Sequence, residues 1–272
     1  MLPPRRIAST ATLLALLAVL AAGCGSSDST AAPAEAVAVT WQKPATKTDE
    51  VGYETLKAGE MELLAKTVAH TFELPEPLTV EGVNGSGDGP AYDSEDNAVT
   101  FPYGFAAMTA EAVQESAPGS GEAEVAERTK EIDELILAHV FGHALIGNYG
   151  LNAHGEDEET EADEIATLLL LQTVAGVKNG SDASIFLADF TNRSEPAALI
   201  DYTQAHALDL GPSIDILCWL AGSSKQAHKE IVETGVLGGA TQCPGEFAQM
   251  SKRISKQLES HLASGASLQP VP

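Results

Sequence analysis

Apolar residues and two histidines recur at helical spacing over residues 122–148, and this pattern constrains the fold more than any other part of the chain. Ile132 and Leu135 fall on one face of the predicted helix, and His139 and His143 continue that face. Residues four apart on a helix lie one turn from each other, so both imidazoles can reach a single metal ion. The sequence therefore predicts a long buried helix that carries two ligands of a metal site.

The segment between the two histidines departs from a known catalytic pattern. Zinc peptidases use the same spacing as His-Glu-x-x-His, in which the Glu is the general base for the zinc-bound water. Val140 stands at the Glu position, in His139-Val140-Phe141-Gly142-His143. Because valine cannot accept a proton, the sequence predicts a protein that binds a metal and hydrolyses peptides little or not at all.

A third ligand is expected from the next predicted helix, which begins after a short loop. Glu159 and Asp163 are four residues apart and share a face of that helix. We expect Glu159 to bind zinc and Asp163 to orient a ligand histidine through a hydrogen bond. Two histidines and one carboxylate leave a fourth position open for water. Each signal also has a plainer explanation: a buried hydrogen-bonded histidine pair, and acidic residues that complement the helix dipole.

The N-terminus has the order of features found in a bacterial lipoprotein signal. Arg5 and Arg6 precede a short apolar run over residues 11–20, and Leu20-Ala21-Ala22-Gly23-Cys24 follows. We expect Cys24 to be lipidated and to anchor the protein on the extracytoplasmic face of the cell membrane. An ordinary signal peptide with an incidental cysteine is the alternative.

The net charge argues against one class of partner, and the two remaining cysteines indicate a cross-link. The formal net charge of −24 argues against nucleic acid as a partner, since an acidic surface repels phosphate backbones. If Cys24 carries lipid, Cys218 and Cys243 are the remaining pair, and an oxidising compartment favours a disulfide between them. A metal site on these two thiolates is the alternative.

The organisation along the chain predicts an α+β fold that is mostly α, with two long site helices and a small flanking β-sheet. The predicted parts are a signal peptide (1–23), a flexible tether (24–50), one domain (51–262) and a disordered tail (263–272). Within the domain, the patterns predict strands at 78–80 and 98–101 with a Gly-rich turn between them, and helices at 56–72, 122–148, 158–174, 182–190, 195–206, 213–221, 225–235 and 246–262.

Residues 137–171, with the His139–His143 and Glu159–Asp163 segments, resemble a bacterial metallopeptidase-like family of unknown function in the zincin clan. Residues 89–103 and the two cysteine segments around Cys218 and Cys243 are also similar to that family. The resemblance implies a zincin-like fold with one zinc ion. It further implies that His206 matches a histidine near the site, which could stabilise a transition-state oxyanion.

Departures from the family pattern favour a catalytically impaired protein. Val140 replaces the catalytic Glu, and Pro212 and Asp215 stand where the family has an Arg and an Asn. We therefore predict a lipid-anchored protein that binds zinc, with peptide or protein as a possible ligand. Two alternatives remain: an active zinc metallopeptidase with a relocated base, such as Glu156 or Glu161, and a surface zinc-binding lipoprotein.

Overall fold

The computed structural model describes residues 36–59, 61–151, 156–190, 196–206, 208–238 and 240–269. The predicted signal sequence and Cys24 lie outside this part of the chain. Among the described residues, no helix combines the length and the apolar character needed to cross a membrane.

Helices dominate the described part of the chain, and a four-stranded sheet accompanies them, which confirms the predicted α+β class. The elements in chain order are β1 (Val37–Trp41), α1 (Lys47–Ala58), α2 (Met61–Thr71), β2 (Leu78–Val83), β3 (Ala91–Asp93), β4 (Ala98–Pro102), α3 (Tyr103–Ser116), α4 (Glu122–Tyr149), α5 (Glu156–Leu170), α6 (Gly176–Phe190), α7 (Ala197–Ala205), α8 (Leu210–Ser223), α9 (Lys225–Glu233), α10 (Cys243–Leu258) and a 3₁₀ helix (Glu259–His261).

The sheet has the strand order β1-β2-β4-β3 and is mixed. β1 pairs with β2 and β2 with β4 in parallel, whereas β3 runs antiparallel to β4. The predicted strands at 78–80 and 98–101 are therefore β2 and β4, but the Gly-rich segment after β2 leads into β3. Val80 and Val99 are opposite each other in the register and are fully buried.

The fold begins earlier than the predicted tether allows. β1 lies within predicted tether residues 24–50 and forms a parallel pair with β2, and Leu78 donates a backbone hydrogen bond to the Ala36 carbonyl. α1 is capped by Thr46 and Asp49, and a carboxylate oxygen of Asp49 also accepts from the Gly85 amide at 2.8 Å. The tether prediction was wrong for residues 36–50, because one short strand next to Ala- and Pro-rich sequence carries too few residues to show a pattern.

The predicted disordered tail is also partly folded. Ala263 donates a backbone hydrogen bond to the Thr71 carbonyl at 2.9 Å, and the side chain of Leu268 is 2% exposed. The Gln172 amide donates to the Gln269 carbonyl at 3.0 Å. Residues 263–269 therefore pack on the domain through contacts that are distant in sequence, which local composition does not reveal.

Two helical segments of the structure differ from the prediction. The predicted helix 56–72 is the end of α1 followed by α2. α3 was not predicted, because apolar sequence continues from β4 into this helix without a polar boundary. The residue before α3, Pro102, is also the last residue of β4 and makes no side-chain capping hydrogen bond.

Helix α4 runs through the core for 28 residues and carries the site. Glu122 and Glu124 in its first turn complement the positive end of the helix dipole. Gly150 ends the helix at φ 60°, a left-handed conformation that favours glycine. α4 packs against α5, α6 and α3 and also contacts β3.

A disulfide joins Cys218 in α8 to Cys243 at the start of α10, with the two Cα atoms 5.0 Å apart. This confirms the predicted pairing. A cross-link over 25 positions contributes about 3 kcal/mol on the chain-entropy model.

Candidate metal centre

The two histidines of α4 converge with Glu159 of α5 on one point, and these three residues are called the His–Glu cluster below. The Nε2 atoms of His139 and His143 are 3.0 Å apart. Oε2 of Glu159 lies 3.2 Å from Nε2 of His139 and 3.3 Å from Nε2 of His143. The structure thus brings together the three residues that the sequence predicts as ligands.

A close crossing of α4 and α5 makes this convergence possible. A Cβ atom placed on Gly142 would lie 2.5 Å from the Ala162 carbonyl oxygen, well inside van der Waals contact. Glycine on α4 and alanine on α5 therefore allow the backbones to approach until Glu159 reaches both imidazoles. A side chain at position 142 would prevent this approach, which explains the glycine directly before His143.

The outer nitrogen of each imidazole faces a carboxylate. Nδ1 of His139 lies 2.7 Å from Oδ1 of Asp163, and Nδ1 of His143 lies 3.2 Å from Oε1 of Glu158. Each Nδ1 is therefore assigned a proton and donates it, and each Nε2 faces the cluster, where it can hold either a proton or a cation. Asp163 has the orienting contact expected from the sequence. The role of Glu158 was missed, because it lies in an acidic run that the helix dipole already explained.

The electrostatics of the His–Glu cluster favour a positive charge between its three ligand atoms. Two lone pairs 3.0 Å apart beside a carboxylate repel one another unless a proton or a cation lies between them. Burial lowers the pKa of His139, but hydrogen bonds to Asp163 and Glu159 outweigh it and raise that pKa to about 9. Burial raises the pKa of Glu159, yet its contacts with His139 and His143 hold it far below its ordinary value.

His206 lies beside the His–Glu cluster, at the C-terminal end of α7. Its Nδ1 is 3.8 Å from Oε2 of Glu159, and its ring centroid is 5.7 Å from that of His139 and 6.0 Å from that of His143. Burial, followed by the positive charge on His139, lowers the pKa of His206 to about 4. His206 is therefore neutral at neutral pH and can offer a lone pair.

The residues present fit a metal ion of the zinc type. One ligand atom each from His139, His143, Glu159 and His206 lies within 4.8 Å of the others. Imidazole nitrogens and a carboxylate are zinc ligands, and carboxylates hydrogen-bonded to the ligand histidines are typical of such sites. Among the described residues, Nδ1 of His206 is buried without a hydrogen-bond partner, and Oε2 of Glu159 is buried against the two Nε2 atoms of the cluster. A shared cation would satisfy both atoms.

A cleft of about 440 Å³ opens next to the cluster, and Val140 lies in its wall. The cleft is lined on the α4 side by Val140, His143 and Ile146, and on the sheet side by Ala91 and Tyr92 of β3. Val140 is 1% exposed. Zinc peptidases have their general base at this position, and the valine that occupies it here supplies none.

Neither candidate for a relocated base gains support. Glu161 is buried away from the cleft and accepts a hydrogen bond from Gln257 of α10. The side chain of Glu156 lies outside the described residues. Glu158 does line the cleft, but its described contact is with Nδ1 of His143, the ring nitrogen that faces away from the cluster.

A larger cleft of about 960 Å³ lies on another side of α4, and size alone would point to it. Its lining among the described residues includes Glu124, Arg128, Glu131 and Lys178 but no histidine. It holds none of the convergent ligand atoms, so the smaller cleft beside the His–Glu cluster is the better candidate for function.

Comparison with known proteins agrees with this geometry. A family model, DUF4344, described as "Putative metallopeptidase", matches residues 41–258. That range contains α1 to α10 and all members of the His–Glu cluster. No curated protein and no solved structure matches the chain.

Proposed function

Because the chain belongs to the DUF4344 metallopeptidase family, we propose that it is a zinc-binding member that has lost peptide hydrolysis and uses the cleft to hold a peptide or protein segment. One observation carries this proposal: the three-residue His–Glu cluster is assembled, while Val140 occupies the base position in the wall of the same cleft. Loss of a positioned general base typically costs a factor of about 10²–10⁴ in rate.

The shape of the cleft supports binding of an extended peptide. β3 is the last strand of the sheet, and its outer edge has no strand partner in the described part of the chain. Ala91 and Tyr92 of β3 line the cleft opposite Ile146. An extended segment can add to such an edge through backbone hydrogen bonds and place alternate side chains in the adjacent cleft.

Metal content is the first test. The full chain and the double variant His139→Ala/His143→Ala would be purified in detergent and measured by inductively coupled plasma mass spectrometry, with exposed His70→Ala as the matched control. We expect about one zinc per chain in the wild type and in the control, and none in the double variant. A folded wild type without zinc would refute the metal-binding part of the proposal.

Hydrolysis and binding are tested separately on the same preparations. We expect no cleavage of a peptide library by the wild type, and saturable binding of labelled peptides that excess unlabelled peptide displaces. Efficient cleavage that His139→Ala abolishes would show an active metallopeptidase with another base. Absence of saturable binding would remove peptide recognition from the proposal.

We also propose that the protein is lipid-anchored through Cys24 on the extracytoplasmic face of the membrane. The order of charge, apolar run, small residues and cysteine supports this. We expect labelled palmitate to be incorporated into the wild type and not into Cys24→Ser, which would move to the soluble fraction. Equal membrane retention of the two proteins would contradict the anchor.

A zinc-holding lipoprotein is the second candidate function. The burial of His139, which is 0% exposed, favours a role in which the metal is retained and not presented to a substrate. Growth of a deletion strain under zinc limitation distinguishes the two, because only a zinc-holding role predicts a defect that added zinc relieves.

A further inference from the structure

We infer that His206 supplies a fourth protein ligand through Nδ1, so that the metal is enclosed by three histidines and Glu159 with no position left for water. This inference rests on the proposed metal binding, but it changes the nature of the site. Zinc held by three protein ligands and a water is the catalytic arrangement, whereas four protein ligands make a closed site.

The spacing of the ligand atoms agrees with a tetrahedron. Zinc with ligands at about 2.0–2.1 Å in tetrahedral geometry holds those ligand atoms about 3.3 Å apart. The distances within the His–Glu cluster are 3.0, 3.2 and 3.3 Å, and Nδ1 of His206 is 3.8 Å from Oε2 of Glu159. The distance from His206 to Glu159 thus exceeds the tetrahedral spacing by about half an ångström, and a ligand atom of His206 lies within 4.8 Å of those of both other histidines.

The His206 ring is held in this position by its own helix. Its backbone amide donates to the Tyr202 carbonyl at 3.0 Å, and the two rings lie face to face at a tilt of 34°, with centroids 4.4 Å apart. Tyr202 in turn packs against Phe105 and donates to the Pro90 carbonyl at 3.1 Å. α7 is thereby tied to the segment before β3, and this tie points Nδ1 of His206 at the cluster.

The burial of Nδ1 of His206 is a second, independent observation. This atom has no hydrogen-bond partner among the described residues, and it lies 3.8 Å from Oε2 of Glu159. Desolvating a polar atom without a partner is unfavourable. His206 also lines the cleft with the exposed part of its ring, but the Nδ1 atom itself is buried and lies beside Glu159.

Cobalt replacement of zinc in the full chain tests the coordination number without reference to activity. In the wild type we expect a four-coordinate cobalt spectrum that added azide does not change, because a closed site offers no position to an anion. In His206→Ala we expect a spectrum that shifts with azide, and zinc affinity that is about 100-fold weaker by chelator competition, since even partners outside the ligand set contribute about 10–100-fold. Exposed His70→Ala should match the wild type in both measurements.

A second variant reports contact directly. In His206→Cys we expect a thiolate-to-cobalt charge-transfer band, which arises only if residue 206 touches the metal. Circular dichroism of the metal-free variants checks that they are folded. If the wild type binds one cobalt but its spectrum responds to azide, or if His206→Cys binds cobalt without that band, the fourth-ligand inference is wrong while metal binding stands. A folded wild type that takes up no metal refutes both.

Discussion

At the scale of single residues, the site depends on which ring nitrogen of each imidazole carries the proton. Asp163 and Glu158 both fix a tautomer, but they do so in different surroundings. The Asp163 side chain is 2% exposed and 2.7 Å from its histidine, whereas that of Glu158 is 36% exposed and 3.2 Å away. A buried, short, charge-assisted hydrogen bond is screened less than an exposed, longer one. The two carboxylates therefore contribute unequally to metal binding.

We expect Asp163→Asn to weaken zinc binding by about 10-fold or more, because the ligand histidine loses the negative charge that raises its basicity. Glu158→Gln should weaken zinc binding less. Competition against a chromophoric chelator measures both affinities. An equal or larger loss in Glu158→Gln would contradict the argument from burial.

If the proposals above hold, Val140 and His206 each oppose hydrolysis, and their effects can be separated. Val140→Glu alone restores a base but leaves the fourth position closed, so we expect no measurable gain. Val140→Glu/His206→Ala supplies both a base and an open position. We expect it to exceed either single variant by about 10²-fold or more in peptide hydrolysis, the lower end of what a general base contributes.

Val140→Gln/His206→Ala is the control for that experiment, since it has the same size without a base, and it should remain inactive. If Val140→Glu alone is as active as the double variant, the fourth position is already open in the wild type.

Asp133 gives a pH dependence that is independent of the metal site. Burial raises its pKa well above the ordinary value, and the nearby Thr109 hydroxyl, which donates to the Phe105 carbonyl, offsets this only in part. In the unfolded chain the carboxyl ionises near pH 4, whereas in the fold it stays protonated to higher pH. Its contribution to stability is therefore complete below about pH 4 and is lost as the pH rises through the folded value.

Asp133→Asn removes this ionisation. We expect it to be more stable than the wild type by about 1–3 kcal/mol near pH 8 and to differ little near pH 4. Thermal unfolding across that range, with exposed Asp88→Asn as control, measures the difference. A difference that is constant with pH would contradict the assignment.

At the scale of elements, the contact between α4 and α5 sets the position of Glu159 relative to the two histidines. Gly142 allows this contact, because any side chain there would meet the Ala162 carbonyl. A mutation at the crossing therefore acts on the metal site through backbone separation and not through loss of a ligand.

Gly142→Ala should force the helices apart. We expect a loss of about 1–3 kcal/mol in the free energy of unfolding of the metal-free protein, and weaker zinc binding. Urea denaturation in chelator and zinc competition measure these quantities. Gly211→Ala in α8, where a Cβ meets no atom within 4 Å, should leave zinc affinity unchanged. Unaltered affinity in Gly142→Ala would show that the crossing does not position Glu159.

At the scale of the whole molecule, the short N-terminal strand completes the sheet on which the cleft depends. β1 covers one edge of β2, and Val37 is 8% exposed there. The side chain of Trp41 approaches Tyr53 with ring centroids 5.9 Å apart. The structural unit therefore extends to residue 36 at least.

A chain that begins at residue 47 lacks β1, and we expect it to be less stable than one that begins at residue 36 by about 3 kcal/mol or more, the contribution of burying one to two large apolar side chains. Thermal unfolding followed by circular dichroism compares the two. Equal unfolding midpoints for the two chains would support the predicted domain boundary at residue 51.

Most helices and the members of the His–Glu cluster were predictable, because their signals are local. Apolar spacing defines α4, and pairs four residues apart place His139 with His143 and Glu159 with Asp163 on common faces. α3, β1 and the packed tail were not predictable, since each is fixed by contacts with residues far away in the sequence. The contact between Glu158 and His143 was not predicted, because Glu158 lies in an acidic segment that was attributed to the helix dipole.

The sequence alone determined the residue types and the spacing of the site: two histidines on one helix, a glutamate on the next, and a valine in place of the base. Only the tertiary structure decided that Nδ1 of His206 lies 3.8 Å from Glu159, that Glu158 contacts His143, and that Val140 lines the cleft. The reason is physical. Spacing along one helix fixes which side chains share a face, but the approach of one helix to another depends on packing between surfaces that the chain brings together only when it folds.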